Sequence, residues 1–394
     1  MSTETGPTPP SDRIVSLDVL RGVAILGILL INVQAFSMPS IARRNPSQYG
    51  DFTGANFAVW LTSHLFVELK FITIFSILFG AGIVLFTQKK SLETDSSLRI
   101  HFRRTFWLLV IGVIHAYLLW DGDILVIYAL CAVVVVFARE WPPRRLVAVG
   151  LWMLAIPFLI RLNYLLGLES GATLEFWRAS EAAIQAEIET YRGSWSDQLV
   201  DRVDTAFTQH TTAFFFDHFW RYGGIMLLGM ALFKWGVLSN ERSIGEYYRL
   251  IWAGFLSGMT LTGAGVAFLF YYEWSHVAGY AWPLFNYWGS IPLALAYVSL
   301  VVVYCRRWSD SLLTHGLAAV GRTALSNYLF QTLVATTIFY GYGLGLFGQV
   351  TRVEQLGVVL AIWVVQIVLS LLWLRRFRYG PVEWVWRKLT YRSL

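Results

Sequence analysis

The residues in this chain best suited to moving a proton are an imidazole and two carboxylates in IGVIHAYLLWDGDILVIYAL, Ile111 to Leu130. A neutral His115 can take a proton from an amine or hydroxyl while Asp121 or Asp123 orients the ring and stabilises its cation. Two apolar runs, Phe106 to Trp120 and Ile124 to Phe137, are separated there only by Asp121, Gly122 and Asp123, which forces an antiparallel hairpin. His115 falls just over one helical turn before that link, so the three groups share one rim. The plainer alternatives are a structural histidine and a solvated acidic turn. Inside a bilayer, ionisable groups are expensive unless paired or hydrated, which makes the cluster a functional candidate.

Other positions carry weaker signals. His64 and Glu68, at i and i+4, share a helix face, and Lys70 follows at the start of FITIFSILFGAG; an interfacial histidine and a snorkelling lysine would account for them equally well. Asp18 and Arg21 in SLDVLRG can pair on one face, either to anchor the helix or to leave Arg21 facing a phosphate or carboxylate. Asn32 sits near the far end of the same helix at the depth of His115, where an amide commonly makes an interhelical hydrogen bond. In GRTALSNYLFQ, Asn327 and Gln331 lie one turn apart on one face, where they are expected to bind substrate. Arg322 in that segment could hold a cytoplasmic phosphate or simply obey the positive-inside rule. The small residues of Phe79 to Gly82 predict close helix packing. Cys131 and Cys305 have no metal spacing and read as core filler. A phosphate-binding glycine loop is absent, which argues against direct ATP-driven transport.

The elements that must position these residues are membrane helices. Of 394 residues, 56% are hydrophobic and 14% charged, the mean hydropathy is +0.54, and a soluble domain carries about a quarter charged residues. The 18 Trp and 19 Tyr suit headgroup-level belts. The net charge of +6 follows from basic cytoplasmic loops and needs no nucleic-acid partner. The fold class expected is all-α, a polytopic membrane protein of about ten transmembrane helices with short amphipathic interfacial helices. Basic residues concentrate in alternate connections and in the tail, which places both termini in the cytoplasm and the acidic link outside.

Residues 1–12, with Pro7, Pro9 and Pro10, read as a disordered tail, and 13–394 as a single transmembrane helical domain. Within that domain, 168–217 is expected to be an outer amphipathic insertion with a helix-like run from Leu174 to Tyr191, and 375–394 a cytoplasmic interfacial tail. The connection from Arg43 to Leu69 is expected to hold a short helix near the outer surface, leading into the second span.

RIVSLDVLRGVAILGILLINVQAF, KFITIFSILFGAG, IGVIHAYLLWDGDILVIYAL, GRTALSNYLFQ and FRYGPVEWVWRKLTY together resemble the YeiB-like family of bacterial membrane proteins over nearly the whole chain. That family is similar to a wider transmembrane acyltransferase superfamily that includes the lysosomal heparan-α-glucosaminide N-acetyltransferase. The resemblance implies a multi-pass protein of the bacterial inner membrane that moves an acyl group, most simply acetyl, from cytosolic acyl-CoA to a hydroxyl or amine acceptor at the outer face. It also implies an active-site asparagine at Asn32. The lysosomal enzyme has its catalytic histidine shortly after that asparagine, whereas SMPSIARRNPSQYG has none, so His115 or His64 would have to serve. His115 would be the base, Asp121 or Asp123 its partner, Asn32 an oxyanion donor and Lys70 an added positive charge, with Arg21 and Arg322 on the CoA phosphates. The co-substrate expected is acyl-CoA, with no metal. The partners are the lipid bilayer and a small-molecule or glycan acceptor, and a homodimer is left open. The rival from another class is a transporter or exporter of a small metabolite that uses the same ionisable residues as a proton relay. A non-catalytic scaffold or sensor is a third reading.

Overall fold

The computed structural model describes residues 14–91, 97–167 and 177–391, and every regular element in them is helical. The expected tail at 1–12, Leu174 and Arg392 lie outside the described residues.

The chain begins with α1 (Val15–Ser37), a short α2 (Ile41–Arg44), α3 (Gly54–Phe66) and α4 (Lys70–Ser91). Leu69, in the left-handed region at φ 67°, breaks the apolar stretch between α3 and α4. The hairpin follows as α5 (Ser97–Leu118) and α6 (Leu125–Val135), the latter extended by a 3-10 turn over Val136–Ala138. After α7 (Pro143–Leu166) come α8 (Glu181–Arg192) and α9 (Leu199–His210), then a π-helical turn over Phe214–His218 that leads into α10 (Phe219–Lys234). Within the described part of the amphipathic run, from 177 onward, the helix starts at Glu181, where the Ser180 hydroxyl accepts from Ala183 N–H and caps it. The remainder is α11 (Ile244–Tyr271), α12 (His276–Arg307), α13 (Leu312–Arg322), α14 (Ala324–Phe339), α15 (Arg352–Arg376) and α16 (Pro381–Tyr391).

Six helical stretches among the described residues are long and apolar enough to cross a bilayer: α1, the α3–α4 stretch, α7, α11, α12 and α15. The chain is therefore an all-α membrane protein. Four other apolar runs form shorter or more charged helices. α10 and α14 have 16 residues each, which at about 1.5 Å per residue falls short of roughly 30 Å of hydrocarbon. α6 is shorter still at 11 residues, and α5 opens with Arg99, Arg103 and Arg104. Apolar side chains stand bare on the outer helices, Trp252 and Leu256 on α11 and Val364 on α15 among them, as lipid-facing positions do.

Lipid tails are as apolar as leucine, so helices here associate through close backbone approach rather than through expulsion of water. Gly22 of α1 and Gly321 of α13 show this reciprocally. A Cβ on the first would strike the Leu317 carbonyl, and one on the second the Asp18 carbonyl. The same exchange joins α4 to α10, with Gly80 against the Met226 carbonyl and Gly229 against the Ile77 carbonyl. α1 thereby lies at the centre, touching α4, α12, α13, α14 and α15. These contacts bring α4, α5, α13, α14 and α16 around a common space.

Candidate active site

His115 occupies the last turn of α5, where its own carbonyl accepts from both Leu119 and Trp120 N–H at 2.9 Å and ends the helix. The Trp120 ring lies 4.2 Å from that of Phe36 and fills the space over the link. A Cβ on Gly122 would strike this ring, so a larger residue there would have to displace it. Asp123 then performs two tasks. Its Oδ1 accepts from Val126 N–H at 2.8 Å, capping α6, and its Oδ2 accepts from His115 Nδ1 at 2.7 Å.

An ionised carboxylate only accepts, so Nδ1 of a neutral His115 carries the proton and Nε2 is the basic nitrogen. That nitrogen receives the hydroxyl of Thr332, on α14, at 2.9 Å. All three side chains are buried, with His115 and Thr332 each 1% exposed and Asp123 3%. Of the two aspartates in the link, Asp123 is the one that meets His115. Asp121 makes no contact with the ring and, like Asp123, borders an open space.

That space is a cavity of about 650 Å3 at the acidic end of the bundle, walled by Asp121, Asp123, Glu187 and Asp201 together with Arg43 and Arg44. His218 and Tyr222, presented by the π-turn and the start of α10, complete it. α8 closes the rim through Glu187, whose carboxylate accepts from Ser40 N–H at 2.8 Å and from the Ser40 hydroxyl. Burial pushes the Glu187 carboxyl up and the Asp121 carboxyl up to about 6, the latter against its own backbone amide and Arg43. A carboxyl whose folded pKa is raised stabilises the fold below its unfolded pKa and loses that contribution as pH rises through the folded value. The protein should therefore lose stability between about pH 4 and pH 6 at this site, and Asp121→Asn should abolish that loss. The variant is expected to be more stable than wild type at pH 8 but not at pH 4, by on the order of 1–2 kcal/mol after discounting solvent at the cavity mouth, and so to melt higher at pH 8 only. Melting in detergent at the two pH values checks it.

At the opposite, basic end a second cavity of about 430 Å3 opens among Arg21, Arg104, Arg322, Arg378 and Arg387. From this mouth its lining turns apolar, through Phe75, Phe79 and Leu108, and ends at Ile124, Tyr128 and Tyr328. Ile124 walls both cavities. Next to Ile124 in sequence is Asp123, and the ring of Tyr328 is 5.1 Å from that of His115. The His115–Asp123 pair therefore stands in the partition between two spaces of opposite character.

The FGAG run serves two purposes. Gly80 is a packing contact as expected, but a Cβ on Gly82 would meet nothing within 4 Å, and Gly82 lines the basic-end cavity. Gly82→Leu should therefore fold and fill that cavity, while Gly80→Leu should fail to assemble. Size-exclusion profiles of the two variants, followed by ligand binding for the first, make the check.

The remaining residues singled out from sequence separate into two groups. Asp18 pairs with Arg21 at 2.9 Å, and both line the basic-end cavity together with Arg322. Asn327 and Gln331, expected to bind substrate, line neither cavity. Asn327 donates to Thr323 Oγ1 and Ser370 Oγ at 2.8 and 3.0 Å, Gln331 to Ile25 O and Gln366 Oε1 at 3.1 and 3.0 Å, and Gln366 to Asn327 O at 2.9 Å. Their amides knit α1, α14 and α15 together, because the face they share is the one turned to those helices.

Lys70 does not snorkel. The break at Leu69 folds its side chain inward, where it is fully buried and donates to His64 O at 2.6 Å and Asn286 Oδ1 at 2.7 Å. His64 Nδ1 meets Glu68 Oε2 at 2.5 Å, as the i, i+4 spacing predicts. This knot lines neither cavity, and nor does Asn32. Thr332, His218, Arg104 and Arg387 stand against His115 or line the cavities, although local sequence does not mark them. A threonine in YLFQTLVATT carries no local signal, and the two arginines look like any other loop or tail charge.

Fold and site together describe an all-helical membrane protein whose buried histidine–carboxylate pair divides an arginine-lined cavity from an acidic one. The family described as "Protein of unknown function (DUF418)" matches residues 232–393, a span that holds Arg322, Tyr328 and Thr332 but not the hairpin. Over 97% of both chains the sequence is 35% identical to "Uncharacterized protein YeiB" of Escherichia coli (strain K12). It is also 33% identical to "Uncharacterized protein YxaH" of Bacillus subtilis (strain 168), over 98% of this chain and 96% of that one. The chain belongs to the YeiB-like family.

Proposed function

We propose that this protein is a transmembrane acyltransferase that carries an acyl group, most simply acetyl, from acyl-CoA at the basic end to a hydroxyl or amine acceptor at the acidic end. The observation that carries the reading is the pair of cavities with Ile124 as common wall and, beside it, Asp123 lining the acidic one and holding His115. An arginine-lined mouth suits the phosphates of a nucleotide thioester, since guanidinium groups bind phosphate through several directed hydrogen bonds. The apolar stretch beyond suits the thioester's long arm, and its blind end sets the reacting carbonyl near Tyr328. From the other side, the acidic cavity suits a polar acceptor. His115 Nε2 takes the acceptor's proton, and Asp123 stabilises the imidazolium that forms.

In this reading the chain crosses the bacterial inner membrane about ten times, with the short helices completing the bundle and both termini cytoplasmic. The basic end then faces the CoA pool. A transporter is the competing reading, and the buried cations Lys70 and Arg221, away from both cavities, are what favour it. Proteoliposomes holding radiolabelled acetyl-CoA on the basic side and a panel of small amines and polyols on the other decide between them. Transfer of label to an acceptor with release of free CoA thiol is expected. Absence of acetyl-CoA binding by folded protein would sink the acyltransferase, and proton-coupled uptake of a solute would replace it.

A further inference from the structure

We infer that Thr332 is the nucleophile of this site and carries the acyl group as a threonyl ester between two half-reactions, an inference that rests on the acyl-CoA reading above. Three observations lead there. First, a hydroxyl, an imidazole and a carboxylate stand in line: Thr332 Oγ1 lies 2.9 Å from His115 Nε2, and His115 Nδ1 lies 2.7 Å from Asp123 Oδ2. This is the relation of nucleophile, base and orienting acid that activates hydroxyls on unrelated folds.

Second, Thr332 departs from its neighbours. A helical threonine commonly returns its hydroxyl to a carbonyl three or four residues back. Thr336 and Thr337 of α14 do so, both to Leu333 O. Thr332 instead directs its hydroxyl across to α5 and His115.

Third, one turn before Thr332 on the same face is Tyr328, 4% exposed and lining the end of the arginine-mouthed cavity. Its hydroxyl is buried and makes no hydrogen bond of good geometry, although it lies by the Ile124 backbone. A buried, unspent donor at a cavity's blind end calls for an acceptor, and a thioester carbonyl oxygen provides one. Both nitrogens of His115 are already engaged, so the ring is better placed to relay a proton than to hold the acyl group itself.

The balance is simple. Thr332 Oγ1 attacks the thioester carbonyl and passes its proton to His115 Nε2, while Tyr328 donates to the oxyanion. The C–S bond breaks, and His115 returns the proton to sulfur, releasing CoA as free thiol. The acceptor hydroxyl or amine then attacks the ester carbonyl from the acidic side, and His115 takes its proton. The ester C–O bond breaks, and that proton restores the Thr332 hydroxyl. No oxidant or further reactant is required. Asp123 reaches the acidic cavity itself, but Thr332 and His115 line neither cavity and Ile124 walls both, so its side chain must swing aside in turn for donor and acceptor.

The test is to mix purified full-length protein with radiolabelled acetyl-CoA, without acceptor, quench in acid and map the peptides. The expected result is a burst of free thiol, stoichiometric with protein, and label on the peptide containing Thr332. That label should survive neutral hydroxylamine, which strips acyl-imidazole. Thr332→Ser should keep burst and label. Thr332→Val, which preserves shape, should lose both while binding acetyl-CoA as tightly as wild type. Label on His115, or acylation of ethanolamine by Thr332→Val at the wild-type rate, would overturn the threonyl ester and leave the acyltransferase standing. Failure of wild type to bind acetyl-CoA would fell both.

Discussion

Asp123→Asn is expected to lower acyl transfer by about 10²–10⁴-fold while leaving acyl-CoA binding intact. The reason lies in how the carboxylate divides its oxygens. Oδ1 accepts from Val126 N–H and caps α6, a task the amide oxygen of asparagine can inherit. The amide NH2 must then face His115 Nδ1, where Oδ2 accepted before. Two donors cannot share that position, so the ring moves its proton to Nε2 and loses the basic nitrogen that faces Thr332. His115→Ala should cost at least as much, and it adds a stability penalty of about 3–5 kcal/mol because it strands a buried carboxylate. Steady-state rates with acetyl-CoA, beside thermal melts of both variants, separate the two effects. A wild-type rate in Asp123→Asn would exclude the pair from the chemistry.

The second large effect is expected at the other end of the molecule. Arg322→Ala with Arg387→Ala should weaken acetyl-CoA binding by about 10–100-fold for each arginine–phosphate hydrogen bond removed, at about 1.5–3 kcal/mol for a charged hydrogen bond. Arg21 should matter less, because Asp18 at 2.9 Å already offsets part of its charge. Wild-type affinity should fall as salt rises, and the double variant should show a shallower dependence. Titration calorimetry in detergent at two ionic strengths reads both quantities. His115→Ala should bind acetyl-CoA as wild type does, since its imidazole lines neither cavity. Equal affinity in the double variant and wild type would remove the arginine mouth from the donor site.

Much of the architecture is legible in the sequence because membrane helices are written locally. Runs such as Val19 to Phe36 and Leu356 to Leu374 correspond to α1 and α15 within a few residues. α12 is harder to see. Only Ile291 to Tyr304 reads as an apolar run, yet the helix starts at His276, because its first half is aromatic, carries Pro283 within the helix and buries the polar Asn286 in the bundle rather than against lipid. Depth is harder again for Lys70. Its place before an apolar run suggests a snorkelling residue, whereas one left-handed residue turns it inward to Asn286, 216 positions away.

Sequence alone is enough to establish that this is a helical membrane protein, that a hairpin with a three-residue polar link presents His115 and two aspartates at one rim, and that Asp18 and Arg21 are spaced to pair, as they do at 2.9 Å. Those features depend on apolar run length and on i, i+3 or i, i+4 spacing, which are properties of a few consecutive residues. It takes the packed molecule to choose Asp123 over Asp121, to set Thr332 against His115 across 217 positions, and to draw arginines from α1, α5, α13 and the C-terminal segment to one mouth. Those choices depend on which helix faces meet. That is settled by glycine contacts such as Gly22 with Gly321, where backbones approach closely enough to fix one rotation of each helix. No stretch of local sequence encodes it.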